Sequence, residues 1–192
     1  MWAAPIITVP PLTEPVTVEQ AKGFLSIAPG EAEFDGLIGS FIVAARQQAE
    51  AITGTAIAQS TVELRACEFG DLLRLPIAPV RQVLSISYRD RDGVTRAIAA
   101  EAYELAGAGL QQGIRPMLGY GWPNDLRKEE GAIIVTADAG YEDLPGPIWT
   151  AILLMVGDLF AFRETAVTGT VAAQIPSSMT VDSLLANYRI WL

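Results

Sequence analysis

The sequence predicts an α+β fold, a helical bundle domain with an inserted antiparallel β subdomain. Three observations predict it: a long apolar helical run from residue 144, a change of apolar spacing to two residues from Ser60, and helical spacing before Gly54. With 51% hydrophobic residues, the 192-residue chain can bury a proper core. We divide it into an arm with the first two helices (1–59), the β subdomain (60–141), the long central helix (142–168), and a loop with a C-terminal docking tail (169–192).

The N-terminal part predicts an extended arm followed by two helices. Residues 1–14 are spaced by prolines and should run extended along a surface. Thr17 and Gln20 have the spacing of a capping box, which predicts a short helix to about Ile27. A second helix then keeps a helical apolar rhythm over five turns until Gly54 ends it. Its apolar positions are Phe34, Leu37, Ile38, Phe41, Ile42, Ala45, Ala49 and Ile52.

From Ser60 onward the pattern is that of strands. Apolar and polar residues alternate over 61–66, which predicts a strand with Val62, Leu64 and Ala66 facing inward. Asp92-Gly93 is a strong hairpin signal and predicts that strands 80–88 and 94–99 pair in antiparallel fashion. Further strands are predicted at 72–75, 103–105, 114–118 and 132–137.

The long helix is the element around which the rest is organised. Pro145 and Pro147 mark its start, since a proline in the first turn wastes no amide. Bulky apolar residues cover roughly half of its circumference, which is more than one neighbouring element covers. We therefore expect packing on several sides, including a second subunit, with subunit-interface residues Trp149, Ile152, Val156, Leu159 and Phe160. A bilayer span needs about 20 apolar residues; this run is shorter and contains Asp158, so no membrane span is predicted.

The C-terminal part predicts a flexible loop over 168–178 and a short amphipathic end over 181–192. This end finishes in Tyr188, Ile190, Trp191 and Leu192, so something must cover it. Two interpretations stay open: the end docks on its own domain, or it docks on a partner.

The composition argues against phosphate binding, common catalytic sites and zinc sites. The net charge of −9 disfavours a protein that grips nucleic-acid phosphates, which requires clustered Lys and Arg. The sequence has no histidine and a single cysteine, Cys67, so the commonest general base, the commonest zinc ligand and the Ser-His and Cys-His pairs are missing. We predict no catalytic residues, no cofactor and no metal. The N-terminus lacks the basic segment of a secretory signal, so synthesis in the cytoplasm is expected.

Four weak motifs predict no functional site. The glycine run 107–113 misses the dinucleotide-binding spacing by one residue. Residues 90–93 match half a calcium loop but lack its ligands at the first and twelfth positions. The acidic pairs 129–130 and 142–143 are typical of solvated loops.

The order of the segments carries a resemblance. Its parts are Glu14–Lys22, Ala44–Gly54, Thr61–Arg65, Leu73–Pro76 with Pro79-Val80, Gly121–Pro123, Thr136–Tyr141 and Leu144–Ile148 before the long helix. Taken together they resemble the head–tail connector (adaptor, or head-completion) proteins of long-tailed bacteriophages and phage-like gene transfer agents. The match covers nearly the whole chain, without the first dozen residues and the last three.

The resemblance implies a structural role in the neck of a virion. Such proteins form a ring, typically of twelve subunits, under the portal protein. The ring extends the channel for double-stranded DNA, without sequence-specific binding, and receives a downstream head-closure (stopper) or tail protein. As a further hypothesis, the tail docks on the portal through Leu184, Leu185, Tyr188, Trp191 and Leu192. Alternatives are another joining protein (a stopper or tail terminator), an enzyme of unfamiliar type, or a ligand-binding module.

Overall fold

The computed structural model describes residues 1–28, 30–162 and 179–190. Its residues form two compact units. The sheet unit comprises Met1–Leu12, Gly54–Glu142 and Ile190, and the helical unit comprises the described residues of Thr13–Thr53 and Asp143–Arg189. The mixed α and β composition agrees with the predicted class.

The helical unit contains α1 (Val18–Phe24), α2 (Asp35–Thr53), α3 (Gly146–Ala161) and α4 (Met179–Leu185). The predicted capping box at the start of α1 is confirmed. The Gln20 amide donates to Thr17 Oγ1 at 3.2 Å, and the Thr17 amide donates to Gln20 Oε1 at 2.9 Å. Gly54 follows α2 with φ of +71°, a conformation that glycine adopts without strain, so the predicted stop is also confirmed.

The core of this unit forms around α3, which packs against α1, α2 and α4. The buried side chains of α3 are Ile148, Ala151, Ile152, Leu153 and Val156, and those of α2 include Ile38 and Ile42. The expectation that the long helix is covered on several sides is therefore met within one chain. Across residues 1–28, 30–162 and 179–190, the helices are all too short or too polar to span a bilayer.

The sheet unit holds seven strands: β1 (Ile6–Val9), β2 (Ser60–Ala66), β3 (Val80–Arg89), β4 (Thr95–Ile98), β5 (Tyr103–Ala108), β6 (Gln111–Pro116) and β7 (Ile133–Ala139). Five of them form one sheet in the order β1-β2-β7-β3-β4, and every neighbouring pair is antiparallel. The remaining two, β5 and β6, pair as a separate hairpin.

The alternation of β2 is confirmed. Val62, Leu64 and Ala66 are fully buried and stand opposite Ala137, Val135 and Ile133 of β7. Ile86 of β3, Leu72 and Ile114 complete the core of the unit. The hairpin predicted at residues 92–93 is confirmed as well, since β3 and β4 pair around it.

The strand predicted at residues 72–75 is wrong. Phe69–Leu73 form a 3₁₀ helix instead, which places Leu72 in the core and leaves Leu73 exposed. The Asp71 carboxylate fixes this turn, because its Oδ2 accepts the amides of Cys67 and Glu68 at 3.2 and 3.1 Å. A local side-chain acceptor therefore competes successfully with strand pairing.

The N-terminal arm also differs from the expected division. The sequence groups residues 1–12 with the first helices, but β1 pairs with β2, so these residues belong to the sheet unit. Prolines at positions 5 and 10 flank β1, and proline within sheets is confined to edges and strand ends. The extended conformation was thus predicted, whereas the partner of the strand was not.

Candidate assembly surfaces

The residues predicted at a subunit interface divide into two groups along α3. Ile152 and Val156 are fully buried inside the chain, so they are not on a surface that a second subunit could contact. This corrects the prediction for those two positions, because the width of an apolar arc does not tell which part the chain itself covers. Trp149 and Phe160 are half-buried, and Leu159 is 37% exposed.

The surface end of α3 carries an aromatic cluster. The Phe160 and Phe34 rings pack edge to face, with centroids 5.6 Å apart and an interplanar angle of 88°. The Phe24 ring lies against Gly157, where an added Cβ would come within 3.2 Å of Phe24 Cε1. Phe24 is 45% exposed and Phe162 54%. We call Phe24, Phe34, Leu159, Phe160 and Phe162 the helical patch. Two of its members, Leu159 and Phe160, are predicted from the sequence. Phe24 is not, because the seven residues of α1 are too few to show an apolar arc.

The helical unit is strongly acidic. Its described residues include nine acidic residues against three basic ones, compared with twelve against nine in the sheet unit. Within the described residues its basic side chains are all in ion pairs, which are Lys22–Asp35 (2.9 Å), Arg46–Glu14 (2.7 Å), Arg46–Glu50 (2.6 Å) and Arg189–Asp182 (3.2 Å). A surface whose cations are paired in this way is poorly suited to binding phosphate groups.

The arm forms an apolar edge of the sheet unit. Ile6, Ile7 and Val9 of β1 are each about half exposed, and Leu12 is 96% exposed. Residues 1–13 contain no charged side chain. Edge strands of monomeric proteins are normally protected by charges or by coverage, so this strand has the properties of a contact surface.

The arm is anchored at its beginning. The Trp2 indole N–H donates to the carbonyl oxygens of Arg74 at 2.8 Å and Asp71 at 3.2 Å, and its ring packs against the sheet-unit core. The Ala3 amide donates to the Arg65 carbonyl at 2.9 Å. Residues 65–74 thus bind the first residues of the arm, and we call this binding site the seat.

The predicted portal-docking residues also differ in their exposure. Leu185 is fully buried on α4, together with Val181, so it belongs to the core of its own unit and not to an exposed docking surface. Leu184 and Tyr188 are half-buried. Trp191 and Leu192 lie outside the described residues, as does the loop predicted over residues 168–178.

Signs of catalytic or ligand chemistry are weak in the parts that the structure describes. A groove of about 140 Å³ lies on the sheet unit, below the roughly 300–1,000 Å³ of small-molecule sites. Its arginines, Arg65 and Arg89, are paired with Glu63 at 2.7 Å and Glu129 at 3.0 Å. Within the described ranges no group of three or more metal-ligating side chains converges, and the Cys67 thiol is free and half-buried.

The half calcium loop is explained by hairpin structure. Asp90 is only 2% exposed, and its Oδ1 accepts the amides of Val94 at 2.9 Å and Asp92 at 3.0 Å. Arg96 Nε donates to Asp90 Oδ2 at 2.5 Å. The Val94 amide and the Arg96 guanidinium hold the pKa of Asp90 below its ordinary value of 3.8, against the opposing effect of burial. The carboxylate therefore serves the turn and is not available to a metal.

Comparisons with known proteins find a likeness of fold. No protein-family model and no curated protein matches the sequence. The structure resembles a chain in the virion of a native gene transfer agent particle, with 22% identity, a TM-score of 0.72, and coverage of 99% of this chain and 97% of that one. It also resembles chains in the neck of an empty gene transfer agent particle computed with C6 symmetry (21%, TM-score 0.69, 99% and 97%) and in the neck of a native particle computed with C12 symmetry (22%, 0.65, 97% and 97%). The shared fold thus extends over nearly the whole chain.

Proposed function

We propose that this protein is a structural ring subunit in the neck of a gene transfer agent or a long-tailed bacteriophage, where it joins the head portal to the tail. The observation that carries the proposal is the shared fold over 99% of the chain with a chain of a gene transfer agent virion. A likeness of this extent includes the helices and the sheet, so it concerns a whole architecture and not one common module.

A ring is supported by the symmetry of one neighbour and by the surfaces of this chain. One similar chain belongs to a neck computed with twelvefold symmetry. Ring closure requires a heterologous contact, in which two different surfaces of the same protein meet. This chain offers two exposed apolar surfaces in different units, the helical patch and β1. We propose a ring of twelve subunits with the helical patch, and especially Leu159 and Phe160, at the subunit boundary.

The proposed partners are the portal protein on one side and a head-closure (stopper) or tail protein on the other. The residues proposed for portal docking are Leu184, Tyr188, Trp191 and Leu192. Leu185 is not among them, because the chain itself buries it. The same ring would surround double-stranded DNA, and the acidic balance of the chain supports passage without tight binding. The role requires no catalysis.

Electron microscopy of the purified protein, alone and mixed with the portal protein of the same particle, tests the proposal. We expect twelvefold rings that cap the portal, whether or not they form before it is added. Uncapped portals, with this protein remaining monomeric in both samples, would contradict the proposed function.

A truncation then tests the docking tail. Removing residues 181–192 would also remove the buried Val181 and Leu185, so loss of attachment could reflect unfolding. A chain that ends at Arg189 keeps both residues. We expect it to retain the melting temperature and circular dichroism of the full chain and to lose portal attachment. Undiminished attachment would disprove docking through the last residues.

A further inference from the structure

The arm is held by its first residues and by the backbone of β1, and not by the side chains of β1. β1 pairs with β2 along one edge only, with Ile6 opposite Glu63 and Ile7 opposite Val62. All four of its side chains are exposed, so releasing β1 from β2 would uncover few buried apolar groups. What fixes the arm is the seat of Trp2 on residues 65–74 and the β1–β2 ladder.

The seat and the arm are distant in sequence and are joined through the other unit. The chain leaves the sheet unit after Leu12, forms α1 and α2 in the helical unit, and returns at Gly54. Residues 10–17 form the link between β1 and α1, and prolines at positions 10, 11 and 15 favour an extended conformation. The free part of this link is residues 10–13, because Glu14 is paired with Arg46 at 2.7 Å and Val16 is buried. Four extended residues reach at most about 14 Å, so the exchange requires the neighbour's seat to lie within that distance of Glu14.

From this arrangement we infer that, in the assembled ring, the arm of each subunit occupies the seat of its neighbour and supplies β1 to the neighbour's sheet. The inference rests on the proposed ring. Exchange remakes the same contacts between copies that the arm makes within one copy, which makes it a low-cost route to assembly. It runs in one direction around the ring, as a heterologous contact must. The second copy is the favoured occupant of the seat because the seat already fits this arm.

The exchange also accounts for the composition of the arm. The remade contacts leave Ile6, Ile7, Val9 and Leu12 exposed, as they are in one copy, but an exchanged arm places them at the boundary between subunits, where the ring contact can cover them. Because no side chain of residues 1–13 is charged, covering these side chains requires no desolvation of ionic groups.

Cysteine pairs distinguish the two arrangements. Directly opposite residues of antiparallel strands have Cα atoms about 4.5–5.5 Å apart, a distance that a disulfide can span. In a Cys67→Ser background, Ile6→Cys and Glu63→Cys are introduced together. The matched control is Ser87→Cys with Ala97→Cys, which stand opposite each other in the β3–β4 hairpin and are too close in sequence to exchange.

Rings are isolated, oxidised and run on denaturing gels without reductant. If the arm is exchanged, the Ile6/Glu63 pair shifts from a single-chain band to a ladder of linked chains, whereas the control pair stays in single chains with an internal disulfide. Coassembly of the Ile6→Cys chain with the Glu63→Cys chain should likewise give linked dimers.

Rings in which the Ile6/Glu63 pair forms internal disulfides would overturn the exchange and leave the proposed function standing. Rings whose two thiols stay free while the control pair oxidises would also overturn it. A protein that forms no ring with or without the portal would contradict the proposed function itself.

Discussion

The side-chain amide of Gln112 pairs with both backbone polar groups of Val80. Its Oε1 accepts the Val80 amide at 2.7 Å, and its Nε2 donates to the Val80 carbonyl at 2.8 Å. In this way a side chain of β6 replaces a neighbouring strand at the start of β3. The Gln112 backbone adds a third bond, because its carbonyl accepts the Leu75 amide at 2.9 Å. One residue thus joins the separate hairpin to the five-stranded sheet.

Replacing this side chain should destabilise the protein. Gln112→Leu keeps the size but leaves the Val80 amide and carbonyl without partners, and Val80 is buried. We expect the free energy of unfolding to fall by about 1–3 kcal/mol, measured by urea denaturation. Gln111→Leu is the matched control, since Gln111 is exposed, and should change it by less than about 0.5 kcal/mol. Equal effects of the two variants would contradict the role of the paired amide.

Gly113 should not tolerate a methyl group. A Cβ at this position would lie 2.1 Å from the Leu73 carbonyl oxygen, which is backbone and cannot turn aside. We expect Gly113→Ala to reduce the free energy of unfolding by at least about 1–3 kcal/mol. The control is Gly70→Ala, because nothing lies within 4 Å of a Cβ added there. Thermal melts of both variants check the prediction, and a Gly113→Ala melt that matched the control would contradict the close approach.

The Asp90–Arg96 pair should make stability depend on pH in the acidic range. A carboxyl whose pKa is lowered by folding contributes stability above its unfolded pKa, near 3.8, and loses it as the pH falls through the lower folded value. We therefore expect Asp90→Asn to lower the melting temperature at neutral pH and the gap from the wild type to close below about pH 3.8. Asp92→Asn is the control, because Asp92 contributes its backbone amide to the turn, and the substitution keeps that amide. A gap that stayed constant down to pH 2 would disprove the assignment.

The helical patch should be needed for assembly but not for folding. Phe162 is 54% exposed, so Phe162→Ser should leave the melting temperature almost unchanged. A truncated aromatic anchor typically weakens an interface by about 2 kcal/mol, so we expect the subunit concentration needed for ring formation to rise roughly 30-fold. Native mass spectrometry measures it. Met179→Ser, at an 88% exposed position outside the patch, should assemble like the wild type.

Local rules predicted the parts of the fold that local chemistry determines. The Thr17–Gln20 capping box, the stop at Gly54 and the hairpin at residues 92–93 depend on neighbours within a few residues, and all three are confirmed. The alternation of β2 was sufficient to identify its buried face. These features need no knowledge of distant segments.

The errors concern what a segment meets in three dimensions. Periodicity gave the width of the apolar face of α3, but only the packing of α1, α2 and α4 decides that Ile152 is covered and Leu159 is not. Likewise, an extended arm was predicted, whereas its pairing with β2, more than 50 residues away, leaves no local signal. The sequence therefore predicts that α3 carries an apolar assembly surface, but it identifies only some of the residues on that surface.

The position of β7 has a consequence for synthesis. β2 and β3 are consecutive strands of the large sheet after β1, yet each is hydrogen-bonded to β7 and neither to the other. On the ribosome, the middle of the sheet therefore stays open until Ile133–Ala139 has left the exit tunnel. Before that moment β2 has only β1 as a partner and β3 only β4, so each keeps one open edge, which makes the nascent chain a natural client of chaperones that shield such segments.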